Sequence, residues 1–128
     1  MIKIAKIFII DDDIDIVSLF EQFLVLEGHE IIAKAFNGEE AIEIFKTFQN
    51  YPDIILMDHR MPLKNGLETT KEMISINSES KIIFVSADYT VKNKAFEIGA
   101  IDFLEKPIDL STLNTMIEKY TSVTSNTT

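Results

Sequence analysis

The chain contains no cysteine. That absence excludes disulfides, a thiolate nucleophile and cysteine-based zinc sites, and it is compatible with a reducing compartment, so a cytoplasmic location is expected. Basic residues are scarce too: 12 lysines and arginines stand against 21 aspartates and glutamates, a formal charge of -9. A surface of that sign repels phosphate backbones, and direct nucleic-acid binding by this segment is not expected. No apolar run approaches the ~20 residues that a membrane helix needs, so no membrane span is expected. The apolar opening, residues 1–10, runs straight into Asp11, Asp12 and Asp13 without a small-residue cleavage site. It reads as a strand and not as a secretory signal.

What is present is a globular composition, 46% hydrophobic and 26% charged over 128 residues, enough for one domain with a complete core. That domain is expected over residues 1–120. Residues 121–128 are small and polar except for Val123, which predicts a flexible tail or the start of a linker.

Short apolar runs alternate with longer stretches of helical period, the pattern of β-α units and a parallel sheet. Strands are predicted at 6–10, 30–35, 53–57, 81–85 and 101–104, with helices at about 14–27, after Asn37, from the end of the 60–66 loop to about 76, at 90–98 and at 109–120. In the first helix Val17, Leu24 and either Phe20 or Leu19 face inward until Gly28 ends it. Asn37 and Glu40 have capping-box spacing, and Ala41, Ile42 and Phe45 then face the core. The third strand, Ile54-Ile55-Leu56-Met57, is apolar on both faces and belongs at the centre.

In open parallel sheets functional groups collect beyond the carboxyl ends of the strands. Four strand ends here carry polar residues: Asp11-Asp12-Asp13, Asp58, Ser86, and Lys106 before Pro107. Clustered carboxylates repel one another unless a cation offsets them, and hard oxygen donors suit Mg2+ or Mn2+. Asp58 can then serve as the nucleophile of an acyl phosphate, with Lys106 paired to the phosphoryl group and Ser86 donating a hydrogen bond to it. Each residue alone has a simpler reading. Asp13 is foremost a helix cap, and the Asp11-Asp12 pair is evenly divided between a site and capping or surface roles. Ser86 alone is a turn residue, Lys106 a solvated charge and Phe103 core. His29 and His59 lack a partner histidine or cysteine at ligand spacing and are expected to be solvent-facing or in loops.

Taken in order, Ile-Ile-Asp-Asp-Asp at 9–13, Pro-Asp-Ile-Ile-Leu-Met-Asp at 52–58, Met-Pro at 61–62, Asn-Gly-Leu-Glu at 65–68, Val-Ser-Ala at 85–87 and Gly-Ala-Ile-Asp-Phe-Leu-Glu-Lys-Pro at 99–107 resemble the response-regulator receiver domains of two-component signalling. The resemblance runs from about Lys6 to Tyr120. It implies a doubly wound, flavodoxin-like (βα)5 fold with strand order 2-1-3-4-5, the CheY-like order. It further implies that Asp11 and Asp12 hold Mg2+, Asp12 more directly, together with Asp58 and the backbone carbonyl of Arg60. Asp58 is then the phosphoacceptor, Ser86 and Lys106 contact the phosphoryl group, Ser86 and Phe103 form a switch, Gly66 is structural, and the Lys106-Pro107 bond is cis. Ser86 stands where threonine is commoner, and Phe103 lacks the phenolic hydroxyl that a tyrosine would bring.

The function so implied is a regulatory phosphoacceptor, charged by a histidine kinase or phosphotransfer protein and read by a downstream protein of unknown identity. It would catalyse only its own phosphorylation and dephosphorylation. Phosphorylation-dependent dimerisation is open to it, although the last helix has no arginine for the charged contacts of receivers attached to winged-helix domains. Two other classes compete: a small phosphohydrolase resembling the haloacid dehalogenases, built on Asp11-x-Asp13, and a binding module that kept only the fold. A last expectation concerns lifetime. Arg60 and Asp88, each two positions beyond a site residue and opposite in charge, can pair as a lid over the phosphoryl group; the alternative is that both point to solvent.

Overall fold

The computed structural model describes residues 3–121. Five strands, β1 (Lys6–Ile10), β2 (Glu30–Ala35), β3 (Ile54–Met57), β4 (Ile82–Ser86) and β5 (Asp102–Glu105), form one parallel sheet. The strand order is β2-β1-β3-β4-β5, the flavodoxin-like order expected. Helices α1 (Ile14–Leu26), α2 (Gly38–Phe45), α3 (Gly66–Ile76), α4 (Lys92–Glu97) and α5 (Leu110–Tyr120) connect and follow the strands. Every residue of β3 and β4 is buried, whereas the edge strands β2 and β5 are only partly covered. That contrast follows from helices packing both faces of a parallel sheet.

Alternation along β1, β3 and β4 sends side chains to two cores. Phe8, Ile10, Ile55, Met57, Ile82 and Phe84 meet Ala41, Phe45 and Met73 on one side. Ile7, Ile9, Ile54, Leu56, Ile83 and Val85 meet Val17, Phe20, Leu24, Leu113 and Ile117 on the other. Phe20, not Leu19, takes the inward position on α1: Phe20 is buried and Leu19 is half exposed. Gly28 ends α1 at a φ of 97°, a left-handed turn that costs a residue without Cβ nothing.

Local chemistry sets most of the remaining boundaries. The third strand starts one residue later than its sequence suggests, because Asp53 is tied sideways to β1, its carboxylate accepting the Lys6 N–H at 2.8 Å. Asn37 caps α2 by accepting the Glu40 N–H at 2.8 Å, but the Glu40 carboxylate reaches back one residue further than a capping box would, to the Phe36 N–H. A helix over 90–98 is not what forms. A 3-10 turn at Tyr89–Val91 precedes a six-residue α4. Asp88 draws both the Thr90 amide and its hydroxyl onto one carboxylate oxygen, tightening the first turn, and Ala95 is the only buried residue of α4.

Two polar residues are more buried than their sequence context suggests. His29 is buried, not solvent-facing: Ala5 donates its N–H to His29 Nδ1 at 3.0 Å, which places the ring proton on Nε2, 2.7 Å from Asn114 Oδ1. Asn114 in turn donates to Glu27, so the chain links the start of β1, the end of α1 and α5. Thr121, placed in the tail by its composition, is buried and donates its hydroxyl to the Ile117 carbonyl. The expectation for the rest of the tail, 122–128, lies outside the described residues.

Candidate functional site

The carboxyl ends of β1, β3, β4 and β5 open on one cleft of about 200 Å3, lined by Asp11, Asp12, Asp13, Asp58, Arg60, Ser86, Ala87, Asp88 and Lys106. Asp11 continues β1 by donating its N–H to the Ala35 carbonyl at 3.1 Å, and Asp58 continues β3 by donating to the Ile10 carbonyl at 3.0 Å. The two buried carboxylates therefore sit side by side as a result of sheet pairing alone. Asp12 is exposed, and Asp11, Asp12 and Asp58 each offer one oxygen within 4.8 Å of the others. Asp13, at the edge of the cleft, is committed to α1: its carboxylate caps the helix, accepting the N–H groups of Asp15 and Ile16. That commitment removes the Asp11-x-Asp13 pair on which a dehalogenase-like phosphohydrolase would depend.

Lys106 crosses from beyond β5 to the centre of the cluster. Its Nζ lies 2.6 Å from Asp11 Oδ2 and 3.7 Å from Asp58 Oδ1, with the side chain largely shielded. The Lys106 N–H donates to the Ser86 carbonyl at 3.0 Å, and the Lys106-Pro107 bond is cis. One amine faces two buried carboxylates, with the third, Asp12, beside them. Burial first, and the neighbouring Asp11 charge second, push the Asp58 carboxyl up from 3.8 to about 6; Lys106, the His59 amide and the Ser86 hydroxyl pull it back only in part.

Ser86 is buried at the end of β4, with its Oγ accepting the Asp88 N–H at 3.1 Å. Phe103 is buried on β5, its ring near-parallel to Phe84 with centroids 6.1 Å apart. Arg60 Nε donates to Asp88 Oδ2 at 3.2 Å across the mouth of the cleft; the arginine side chain is 79% exposed and the aspartate 10%. The hydroxyl of Thr90 and, secondarily, Arg60 hold the Asp88 carboxyl below the ordinary carboxylate range. His59 lies half-buried beside this pair, and burial pushes its imidazole below its ordinary value of 6.5.

The loop between β3 and α3 folds back on the site. Gly66 donates its N–H to the His59 carbonyl at 2.8 Å, and a Cβ at Gly66 would lie 2.7 Å from His59 Cα and closer still to the Asp58 carbonyl oxygen. Only glycine permits that approach. Asn65 and Glu68 complete a reciprocal capping box at the start of α3. Sequence reading passed over the box, although its Asn-x-x-Glu spacing was there to find. It also passed over the Lys64–Glu72 ion pair, whose eight-residue separation carries no local signal.

Comparison with known proteins agrees with this geometry. The family model for the response regulator receiver domain matches residues 7–118. The chemotaxis protein CheY of Thermotoga maritima is 34% identical over 108 residues, which cover 83% of this chain and 88% of that protein. The regulatory protein AtoC of Escherichia coli is 33% identical over 121 residues, 93% of this chain but only 26% of AtoC. Among solved structures, the response regulator TrrA of Thermotoga maritima, in complex with Mg2+ and beryllium fluoride, superposes with a TM-score of 0.81 at 30% identity, covering 93% of this chain and 99% of that one. The chain belongs to the response regulator receiver domains, the CheY-like family whose function is phosphorylation-dependent two-component signalling.

Proposed function

We propose that Asp58 is the phosphoacceptor of this receiver. The observation that carries the reading is the convergence of Asp11, Asp12 and Asp58 within 4.8 Å of one another, with Lys106 within ion-pair distance of two of them. Asp11, Asp12, Asp58 and the Arg60 carbonyl would hold a divalent cation. The fit rests on the donor set: oxygen atoms throughout, more negative charge than one lysine balances, and an Asp58 carboxyl pushed up to about 6 by burial first and by Asp11 second. Such hard donors suit Mg2+, and Mn2+ would serve in its place. When bound, the cation supplies neutralisation of the phosphoryl oxygens.

The chain's own residues do the rest. An Asp58 carboxylate oxygen bonds to phosphorus as the donor's phosphorus–nitrogen bond breaks, and the electron pair leaves on the donor imidazole. Lys106 moves its charge from the carboxylates toward the incoming phosphoryl group, and Ser86 Oγ, close beside Asp58, donates to one of its oxygens. Phe103, packed on Phe84 behind Ser86, would carry the movement of Ser86 to the outer face of β5. Water attack on phosphorus later restores the Asp58 carboxylate, so the domain turns over its own phosphoryl group and no external substrate.

The donor is a histidine kinase or phosphotransfer protein. An apolar cleft of about 460 Å3 between Ile16, Leu19 and Phe20 of α1 and Pro107, Ile108 and Leu110 adjoins Lys106, and it offers such a donor a surface to bury beside Asp58. The reader of the signal is a downstream protein, and phosphorylation-dependent dimerisation is one form the output can take. A cytoplasmic location suits this role, and no helix among the described residues is long and apolar enough to cross a membrane. The Arg60–Asp88 pair lies over the approach to the phosphoryl group and lengthens its lifetime by obstructing in-line water. The test is intact mass after incubation with phosphoramidate and Mg2+. One base-labile phosphoryl group is expected on the wild type and none on Asp58→Asn; persistent labelling of the variant would move the nucleophile elsewhere.

A further inference from the structure

We propose that Lys64, clamped between Gly38 of α2 and Glu72 of α3, is a positioning residue for the phosphoacceptor site. The proposal rests on the reading of Asp58 as phosphoacceptor and extends it outward to a helix that does not touch the cleft.

Two glycines leave no room for a side chain. Gly66 presses its backbone against the peptide of Asp58, as described above. At Gly38, the first residue of α2, an added Cβ would lie 2.7 Å from Lys64 Cβ and closer still to the Lys64 carbonyl oxygen and to Thr69 Oγ1. Cβ atoms essentially never approach other atoms below 3.0 Å. The start of α2 therefore touches the backbone of the β3–α3 loop, and that loop touches the backbone of Asp58. From the other side the Lys64 amine pairs with Glu72, both side chains partly shielded, and the Thr69 hydroxyl donates to the Asn65 carbonyl at 2.7 Å.

The loop between these supports holds its shape at a local cost. Leu63, at its exposed tip, has a φ of 70°, a left-handed conformation that residues with a Cβ adopt only at a cost. A hydrogen bond from the Lys64 N–H to the Pro62 carbonyl at 2.8 Å spans Leu63 and buried Met61 pins the start of the loop, while the contacts at Lys64 fix its far end. The two sides of the Gly38 contact also differ in stiffness. Helix α2 is anchored by buried Ala41, Ile42 and Phe45, whereas the loop enters the core through Met61 alone, with Arg60, Pro62 and Leu63 exposed. An atom added at Gly38 displaces the loop rather than the helix. The displacement reaches Arg60, whose carbonyl is a proposed cation ligand, and Gly66, which rests on Asp58.

The experiment compares wild type, Gly38→Ala and Glu72→Gln with Ile117→Val, a cavity variant in the opposite core that loses thermal stability without touching the loop. Two readouts are taken: hydrogen exchange of the Gly66 amide in metal-free protein, and Mg2+ affinity from amide NMR titration. Gly38→Ala and Glu72→Gln should each speed Gly66 exchange and weaken Mg2+ binding by about tenfold, the range for groups that orient ligands. Ile117→Val should change neither. Wild-type values in Gly38→Ala or Glu72→Gln, or equal changes in Ile117→Val, would overturn the clamp. Should Gly38→Ala fail to fold, Glu72→Gln decides alone, since its substitution adds no atom to the core. Phosphoramidate labelling of the wild type separates the two readings. An unlabelled wild type would sink the assignment of Asp58, while a labelled one with unperturbed variants would sink only the clamp.

Discussion

Replacing Asp58 by asparagine should stabilise the metal-free protein at neutral pH, which is the reverse of what removal of a buried polar contact does elsewhere. The Asp58 carboxyl is raised from 3.8 to about 6, chiefly by burial and then by Asp11. Its folded-state value lies above its unfolded one, so between those values the native state binds more protons than the unfolded chain, and stability falls as pH rises through that window. At about 1.36 kcal/mol per pH decade, the rise amounts to roughly 3 kcal/mol of native-state destabilisation once the group is fully ionised. Asparagine never ionises, and the rise to about 6 already includes the attraction of Lys106, 3.7 Å away; its amide is itself desolvated in the buried position, a cost of about 1 kcal/mol. The net gain expected is about 2 kcal/mol, or roughly 6–10 °C in Tm for a domain of this size. The assay is thermal unfolding of wild type and Asp58→Asn in chelator, repeated from about pH 4 to about pH 8. The advantage of the variant should be absent at the acid end, grow through the interval between 3.8 and about 6, and level off above it. Saturating Mg2+ should shrink it, since ligand binding stabilises the wild type by mass action. A variant no more stable than wild type near neutrality without metal, or an advantage independent of pH, would refute the account of the cluster as a charge imbalance.

Asp12→Ala should weaken Mg2+ binding at least tenfold, measured by titration calorimetry, while leaving the metal-free protein as heat-stable as wild type or more so, because it removes an exposed charge from beside two buried ones. Arg60→Ala and Asp88→Ala should each speed loss of the phosphoryl group several-fold at saturating Mg2+, and the double variant should add little, since the two act as one pair. Simple addition of the two effects in timed mass spectra would remove the lid. Asn114→Leu leaves the buried His29 Nε2–H without its acceptor and should cost about 1–3 kcal/mol in urea unfolding, against a change near zero if the link is dispensable.

The sheet was legible in the sequence because its signals are local. Runs such as Ile54-Ile55-Leu56-Met57 declare a strand buried on both faces, and Gly28 declares the end of a helix. The candidate site was legible for a related reason. In a parallel sheet the residue after each strand arrives at the same edge, so Asp11, Asp58, Ser86 and Lys106 could be placed together once five strands were counted. Asp13 could be set aside as a cap for the same local reason. What sequence could not decide was anything that depends on pairs far apart in the chain. His29 is a loop residue, as its sequence suggests, but only Ala5 and Asn114 closing around it bury it. Leu19 and Phe20 are equally apolar neighbours on one helix, and only the packing of α1 against β1 and α5 chooses between them. The length of α4 was lost to one carboxylate, that of Asp88, competing for the amides of its first turn. The reach of the Lys106 side chain to Asp11, across 95 residues, and the fit of Gly38 against Lys64 depend on how distant segments pack, and a distance through space has no counterpart in residue type. Residue types and their order determined which groups meet at the strand ends; the tertiary structure alone decided how closely they meet, and with that how far burial and Asp11 push up the Asp58 carboxyl.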